Sequence, residues 1–250
     1  MIQVIDRAFE IIGFVASSGT VSLSDIAKHC KLPLSTVARI TSSLEHHGVL
    51  ERSSHRAFRL GGRLLTLASQ VVPVRSLVEI ARPFMLKLSS KTNEDVGLSI
   101  LQGEEAVIVD WVYGDHAVKV IEPFTPSITL NCAFRKVLLA HKRQEWIDNY
   151  ISGTEFPKYT PHTIVGKQKI HSEINSVREQ GYAVSRSENI MDAASVAGPV
   201  FDKNGVLAAT VFLTAPISRF ERNDLREMIS DVVSTARTMT VALRNSEMTI

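Results

Sequence analysis

The stretch Leu23–Leu60, LSDIAKHCKLPLSTVARITSSLEHHGVLERSSHRAFRL, decides the fold. Ser24-Asp25-Ile26-Ala27 opens a short helix, with Ser24 as its cap and Asp25 at the positive helix end. Cys30-Lys31-Leu32-Pro33 turns the chain, and Pro33 sits beside the first position of the next helix, where a missing N–H costs nothing. That helix opens at Ser35 and runs to about His46. Val37, Ile40 and Leu44 fall at i, i+3 and i+7, which gives it one buried face. Thr36, Arg39 and Ser43 follow the same rhythm on another face, which carries no acid. Gly48 suits the left-handed conformation that stops a helix. Val49 to Leu60 reads as two short strands joined through Ser53-Ser54-His55, with Val49, Phe58 and Leu60 as apolar contacts and Arg52, Arg56 and Arg59 as cations. Helix, turn, helix, hairpin is the order of a winged helix-turn-helix.

A helix face with little bulk, hydroxyl donors and one guanidinium suits base edges, and a basic hairpin suits phosphate or a minor groove. The residues expected to meet double-stranded DNA are Ser24, Ser35, Thr36, Arg39 and Ser43 on the helices, and Arg52, His55, Arg56 and Arg59 on the wing. A small helical domain with a solvated basic face is the plainer reading. The turn, the hydroxyl-rich helix start and the basic hairpin occur together and in order, which favours nucleic acid.

The charge distribution agrees. Formal net charge over 250 residues is +2, yet residues 1–63 hold eight Lys/Arg against five acids, leaving the remainder at −1. A basic module joined to a neutral one fits a DNA binder attached to something that does not touch DNA. A hydrophobic content of 44% can fill a sizeable core. Cys30 and Cys132 make neither a disulfide framework nor a metal-ligand spacing. No signal peptide is legible, and no apolar run approaches ~18 residues, so the expectation is a cytoplasmic protein without membrane association, metal or cofactor.

Residues 3–17 read as a helix with Ile5, Ala8, Phe9, Ile12 and Val15 facing in. Arg63 to Val72 reads as an apolar linker helix ending before Pro73 and pairing with a second subunit's equivalent. The expected domains are therefore 1–62, a linker at 63–75, and 76–250. In the last of these, Val78–Ser90, Cys132–His141, Arg143–Ile151, Lys167–Gln180 and Asn223–Asn245 read as helices. Asp95–Leu101, Ala106–Tyr113, Tyr182–Arg186, Ser195–Phe201 and Val206–Thr214 read as strands, with a further strand at Ala117–Ile121. Asp202-Lys203-Asn204-Gly205 offers a type I′ hairpin turn. The class is α+β.

Several stretches, in order and spacing, carry a family resemblance. They are Val4-Ile5-Asp6-Arg7-Ala8, Leu32-Pro33-Leu34-Ser35-Thr36-Val37-Ala38-Arg39, Phe58-Arg59-Leu60-Gly61, Gln180-Gly181-Tyr182-Ala183, Val196-Ala197-Gly198-Pro199-Val200-Phe201 and Pro216-Ile217-Ser218-Arg219-Phe220. Over nearly its full length the chain resembles the IclR-type bacterial transcription regulators. The resemblance implies a GAF-like effector-binding domain behind the winged helix, and a homodimer or dimer of dimers. It also implies a small metabolite, often a carboxylate or aromatic acid, that tunes operator binding.

Thr36 and Arg39 match the family's recognition positions, while Leu34 stands where a Lys is common. The usual His-Ala-Thr/Ser-Ala-Leu-Gly-Lys run appears as Leu130-Asn131-Cys132-Ala133-Phe134-Arg135-Lys136. Asp192 replaces a usual Gly, Phe212 a common small hydroxyl, Thr214 keeps one, and Glu188 matches an acid that shapes the pocket. Two readings stay open. Either Cys132, Ala133, Phe134, Glu188, Asp192, Ser195, Phe212 and Thr214 surround an effector with altered selectivity, or the bulkier side chains plug the cavity. An enzyme is the rival class, but no Gly-x-Ser-x-Gly elbow, phosphate-cradling Gly loop or His-Glu-x-x-His supports it.

Overall fold

The computed structural model describes residues 2–53, 57–68, 72–103, 105–120, 131–222 and 225–246. The chain divides into two compact units, Met1–Val72 and Pro73–Ile250.

The first unit holds α1 (Gln3–Ser18), α2 (Leu23–His29), α3 (Leu34–His46), the antiparallel strands β1 (Leu50–Arg52) and β2 (Phe58–Leu60), and α4 (Arg63–Ala68). Ile11, Val15, Ile26, Val37, Ile40, Leu50 and Phe58 form its core. On α3, Val37 and Ile40 are buried and Leu44 packs against them, as the spacing requires. Thr41 joins this face, its hydroxyl turned back onto the Val37 carbonyl at 2.9 Å, which satisfies the buried oxygen. Gly48 ends the helix at φ 69°. Val21 pairs with Phe58, giving the hairpin an extra rung that the sequence reading lacks.

Two local expectations are corrected here. Ser22, not Ser24, caps α2: its Oγ accepts the Asp25 N–H at 3.2 Å, while Asp25 accepts the Ser22 N–H at 3.4 Å. Leu23 packs on the core as the first helical residue, which moves the cap back and leaves Ser24 exposed in the first turn. On α1, the face turned inward is Ala8, Ile11 and Val15, with Phe14 beside it. Ile5 and Phe9 lie roughly a quarter-turn away and are exposed, Phe9 by 69%. The helix carries two apolar stripes, and periodicity alone does not choose between them.

In the second unit α5 (Val72–Thr92) begins before Pro73, contrary to the expected stop there. Pro73 occupies the first turn, which needs no N–H from it. Of the expected linker helix, Arg63–Ala68 is helical with no buried residue, and residues 69–71 lie outside those described.

Five strands, β3 (Asp95–Gln102), β4 (Glu105–Val112), β5 (Ala183–Arg186), β6 (Ala193–Phe201) and β7 (Leu207–Pro216), form an antiparallel sheet in the order β4-β3-β7-β6-β5. Alternation along each strand divides its side chains between two cores. Val96, Leu98, Val196, Val211 and Leu213 meet Met85 and Leu88 of α5 and Val232, Ala236 and Met239 of α10 (Leu225–Arg244). Gly97, Ser99, Ser195, Ala197, Thr210, Phe212 and Thr214 take the opposite face. Over it lies α6 (Ala133–Ala140), backed by α8 (Lys167–Gln180), against which α7 (Gln144–Gly153) packs.

Residues 117–120 form no strand, and Ile121 is outside the described residues. Side chains hold this segment in place of a ladder: Lys119 donates to the Gly114 carbonyl at 2.7 Å, and Arg219 to that of Val118 at 3.1 Å. The β6–β7 turn is not type I′, because only Gly205 among its residues has positive φ, 76°. The Gly205 N–H closes a turn on the Asp202 carbonyl at 3.1 Å, and the Asp202 carboxylate accepts the Asn204 and Val206 N–H groups. An aspartate that bonds its own turn favours a three-residue loop ending in a left-handed glycine. A short helix, α9 (Ile217–Arg222), follows β7.

Because the cap is Ser22, Ser22→Ala should lower stability by about 1 kcal/mol in denaturant titration, and Ser24→Ala by less than about 0.5 kcal/mol. The reverse order would return the cap to Ser24.

Candidate DNA interface and effector site

Pro33 precedes α3 without a side-chain cap, and the first turn of α3 holds no acid. Thr36 N–H bonds the Pro33 carbonyl at 2.9 Å, which leaves the Leu34 and Ser35 amides to face an anion. Ser35, Arg39 and Ser43 are exposed and Thr36 is half-buried. Among the described residues Arg39 has no acidic partner. Thr36, Arg39 and Ser43 border a groove of about 600 Å³, which Arg7 of α1 also lines above a floor of Val4, Ile5, Ala8, Ile40 and Leu44. Sequence reasoning missed Arg7, because the periodicity of α1 does not say which neighbour it faces. Ser42, exposed next to Ser43, does not line the groove.

The two described wing cations, Arg52 and Arg59, are engaged. Arg52 Nε lies 3.0 Å from both carboxylate oxygens of Glu45, and its guanidinium sits 5.0 Å over the Phe58 ring. Arg59 bonds Glu51 at 3.2 Å. The Gly62 N–H, then Arg59, hold the Glu51 carboxyl below its usual range. Ser24 faces solvent on α2, with no contact tying it to the groove; His55 and Arg56 lie outside the described residues.

In the second unit the expected effector residues other than Asp192 lie beneath or beside α6, and several of their polar atoms are already bonded within the protein. Cys132 is buried at the start of α6. The Ala133 N–H donates to Ser195 Oγ at 3.3 Å, and Thr214 donates to the Ala194 carbonyl at 3.3 Å. Phe134 stacks on Phe212 with centroids 4.6 Å apart, and Trp111 meets Phe212 edge-on at 5.4 Å. Phe212 lies flat on β3: a Cβ on Gly97 would fall 2.2 Å from its ring, so only glycine fits beneath it.

Glu188 does not line an open space. Its Oε1 takes the buried Lys136 ammonium at 2.7 Å, and Lys136 also donates to Glu173 at 2.7 Å and to the Val184 carbonyl at 3.0 Å. Burial pushes the Glu188 carboxyl above its usual range, with Lys136 pulling the other way. Asp192 is exposed at φ 61°, its carbonyl accepting the Ile217 N–H at 2.7 Å. That left-handed backbone explains why glycine suits the position, and it keeps the carboxylate away from the cluster. Arg135 is buried and donates to Asn131 Oδ1 at 3.0 Å. Asn131, which sequence reasoning passed over, also receives the Ser185 hydroxyl on its carbonyl and bonds Asn189.

Both halves of the chain match known families. The model for the bacterial transcriptional regulator IclR C-terminal domain matches residues 69–241, and that for the IclR helix-turn-helix domain matches residues 4–54. The chain belongs to the IclR family. These are families of DNA-binding transcriptional regulators, not of enzymes. An IclR relative, the HTH-type transcriptional regulator BhcR of Paracoccus denitrificans, is 27% identical over 97% of this chain and 88% of its own. The HTH-type transcriptional repressor AllR of Escherichia coli K12 is 26% identical over 96% of this chain and 90% of its own. An IclR homologue from Microbacterium hydrocarbonoxydans, solved with 4-hydroxybenzoate, shares the fold at 22% identity. It has a TM-score of 0.81, over 97% of this chain and 100% of that one. No described helix is long and apolar enough to cross a membrane, and no described cluster of His, Cys, Asp or Glu could hold a metal ion.

Two outcomes follow from the ion pairs of this IclR chain. Glu45→Gln releases Arg52, so affinity for unrelated duplexes should rise by up to about fivefold in anisotropy titrations, with a steeper salt dependence. Unchanged affinity would mean that Arg52 does not reach the backbone. Lys136→Met leaves Glu188 buried without its cation and should cost about 3–5 kcal/mol in urea unfolding, against clearly less for Glu188→Gln. Glu188 sits above its unfolded value, so its contribution is full below that value and is lost as pH rises through the folded one. Lys136→Met should therefore gain stability on acidification relative to wild type.

Proposed function

We propose that the protein is a cytoplasmic, sequence-specific regulator that places two α3 helices in successive major grooves of an inverted repeat and responds to a small molecule held by its GAF-like second unit. The observation that carries the first half is the exposed, unpaired Arg39 on the hydroxyl face of a helix whose N-terminus is open to phosphate. Thr36 and Arg39 read bases, and Ser35, Ser43 and the wing cations hold the backbone.

A homodimer, or a dimer of such dimers, supplies the second reading head. Ile2 just before α1, Val4, Ile5 and Phe9 on it, and Leu65 and Leu67 on α4, are exposed apolar side chains that a second copy would cover. The 4-hydroxybenzoate complex of a protein with this fold supports an organic or aromatic acid as the effector class. An effector acts only through its differential affinity for the two arrangements of the paired helices. The stacked Phe134 and Phe212 favour a second reading, a regulator whose usual site is filled by its own rings.

Arg39→Ala tests the base-reading role on an operator obtained by selection from random duplexes. Discrimination at the contacted base pair should fall by about 1–3 kcal/mol, while affinity for scrambled DNA changes far less. Equal losses on both DNAs would make Arg39 a backbone contact.

A further inference from the structure

Among the described residues, the α6-facing side of the sheet carries three buried polar atoms with no hydrogen-bond partner: Ser99 Oγ, Thr210 Oγ1 and Trp111 Nε1. Alternation places all three on that side. Ser99 lies between Leu98 and Ile100, and Thr210 between Ala209 and Val211, whose side chains belong to the opposite core. Trp111 packs in the α6 core. Ser99 and Thr210 are direct cross-strand partners, and Trp111 and Phe212 both pair with Gly97, two residues from Ser99. Ser99 and Thr210 are fully buried, yet their hydroxyls do not bond each other.

A buried hydroxyl without a partner is destabilising, and a core with no other role would hold Ala or Val at these places. The contrast with the expected effector residues is direct. Ser195, Thr214 and Glu188 Oε1 are all bonded within the protein. The unpartnered Ser99, Thr210 and Trp111 atoms lie on the other side of the Phe212 ring, whereas Glu188 Oε2, also without a partner, lies in the Lys136 cluster.

We propose that Ser99, Thr210 and Trp111 form the polar end of the ligand site in this domain, taking the neutral hydroxyl or carbonyl oxygen of a small aromatic molecule. The inference rests on the reading that the second unit binds a small molecule. The indole N–H can only donate, whereas the two hydroxyls can donate or accept, a set that matches a phenol or a carbonyl. Lys136 is committed to Glu173 and Glu188, so it supplies no free cation here. A carboxylate buried against three neutral donors would be heavily penalised, and it therefore points outward. Room for the ligand ring comes from the stack itself. Phe212 is clamped between Gly97 and Phe134, and a ligand ring that displaces Phe134 keeps the face-to-face contact while placing its oxygen beside Thr210.

The test uses the full-length protein and three probes: 4-hydroxybenzoate, benzoate and phenol. Binding is read by calorimetry and thermal shift for wild type, Thr210→Val, Ser99→Ala and Thr214→Val. The expected result is binding of 4-hydroxybenzoate and phenol by wild type, with benzoate weaker by about tenfold or more for lack of the inward oxygen. Thr210→Val and Ser99→Ala should each raise the ligand-free Tm by about 2 °C and weaken binding by about tenfold, whereas Thr214→Val, which loses its bond to the Ala194 carbonyl, should lower the Tm slightly and keep wild-type binding. Binding that survives both Thr210→Val and Ser99→Ala, or is lost only in Thr214→Val, overturns this subsite and leaves the ligand-responsive reading standing. No binding of any probe by wild type overturns the subsite and favours the plugged regulator.

Discussion

A β-strand sends successive side chains to opposite faces, and a sheet covered by helices on both sides must supply two interiors from one sequence. In β3, β6 and β7 the division is sharp. One set of alternate residues is aliphatic and meets α5 and α10. The other mixes glycine, hydroxyls and one large ring beneath α6. Everything specific about the second unit follows from that asymmetry. The aliphatic side fixes the sheet to two long helices, and the mixed side is free to carry polar chemistry because the first has already secured the packing.

On the mixed side the buried Lys136 organises the helix layer. An ammonium inside a core needs several oxygens, and it finds them on α8, on β5 and just beyond β5. Those contacts tie α6 to elements remote in sequence. Position 212 then settles the interior shape. A phenylalanine there requires glycine at position 97 and finds a ring partner at position 134, so three substitutable positions on three elements act as one.

Much of this was legible in the sequence, and the failures have physical causes. The buried stripe of α3, the Gly48 stop and five of the six strands expected in the second unit come from periodicity and local backbone preference. Where two apolar stripes coexist, as on α1, periodicity is silent, and tertiary contact chose Ile11 over Phe9. The cap of α2 slipped from Ser24 to Ser22 because two serines stand two residues apart. In the candidate site, order along the chain puts most of these residues in one neighbourhood, but spacing does not report hydrogen bonding. Glu188 faces Lys136, Asp192 faces solvent, and the unpartnered Ser99 and Thr210 look in sequence like ordinary strand residues.

The carboxylates beside Arg52 and Arg59 also bear on how such a protein finds its site in a cell. Random chromosomal DNA is in vast excess, and a module coated with bare cations spends its time bound there. Here two guanidiniums already have a carboxylate beside them, which lowers the charge each presents to solvent. In the proposed DNA-binding role, that masking would weaken contacts with unrelated DNA more than those of a well-seated recognition helix. The dwell on wrong sequences would shorten and the genomic search quicken.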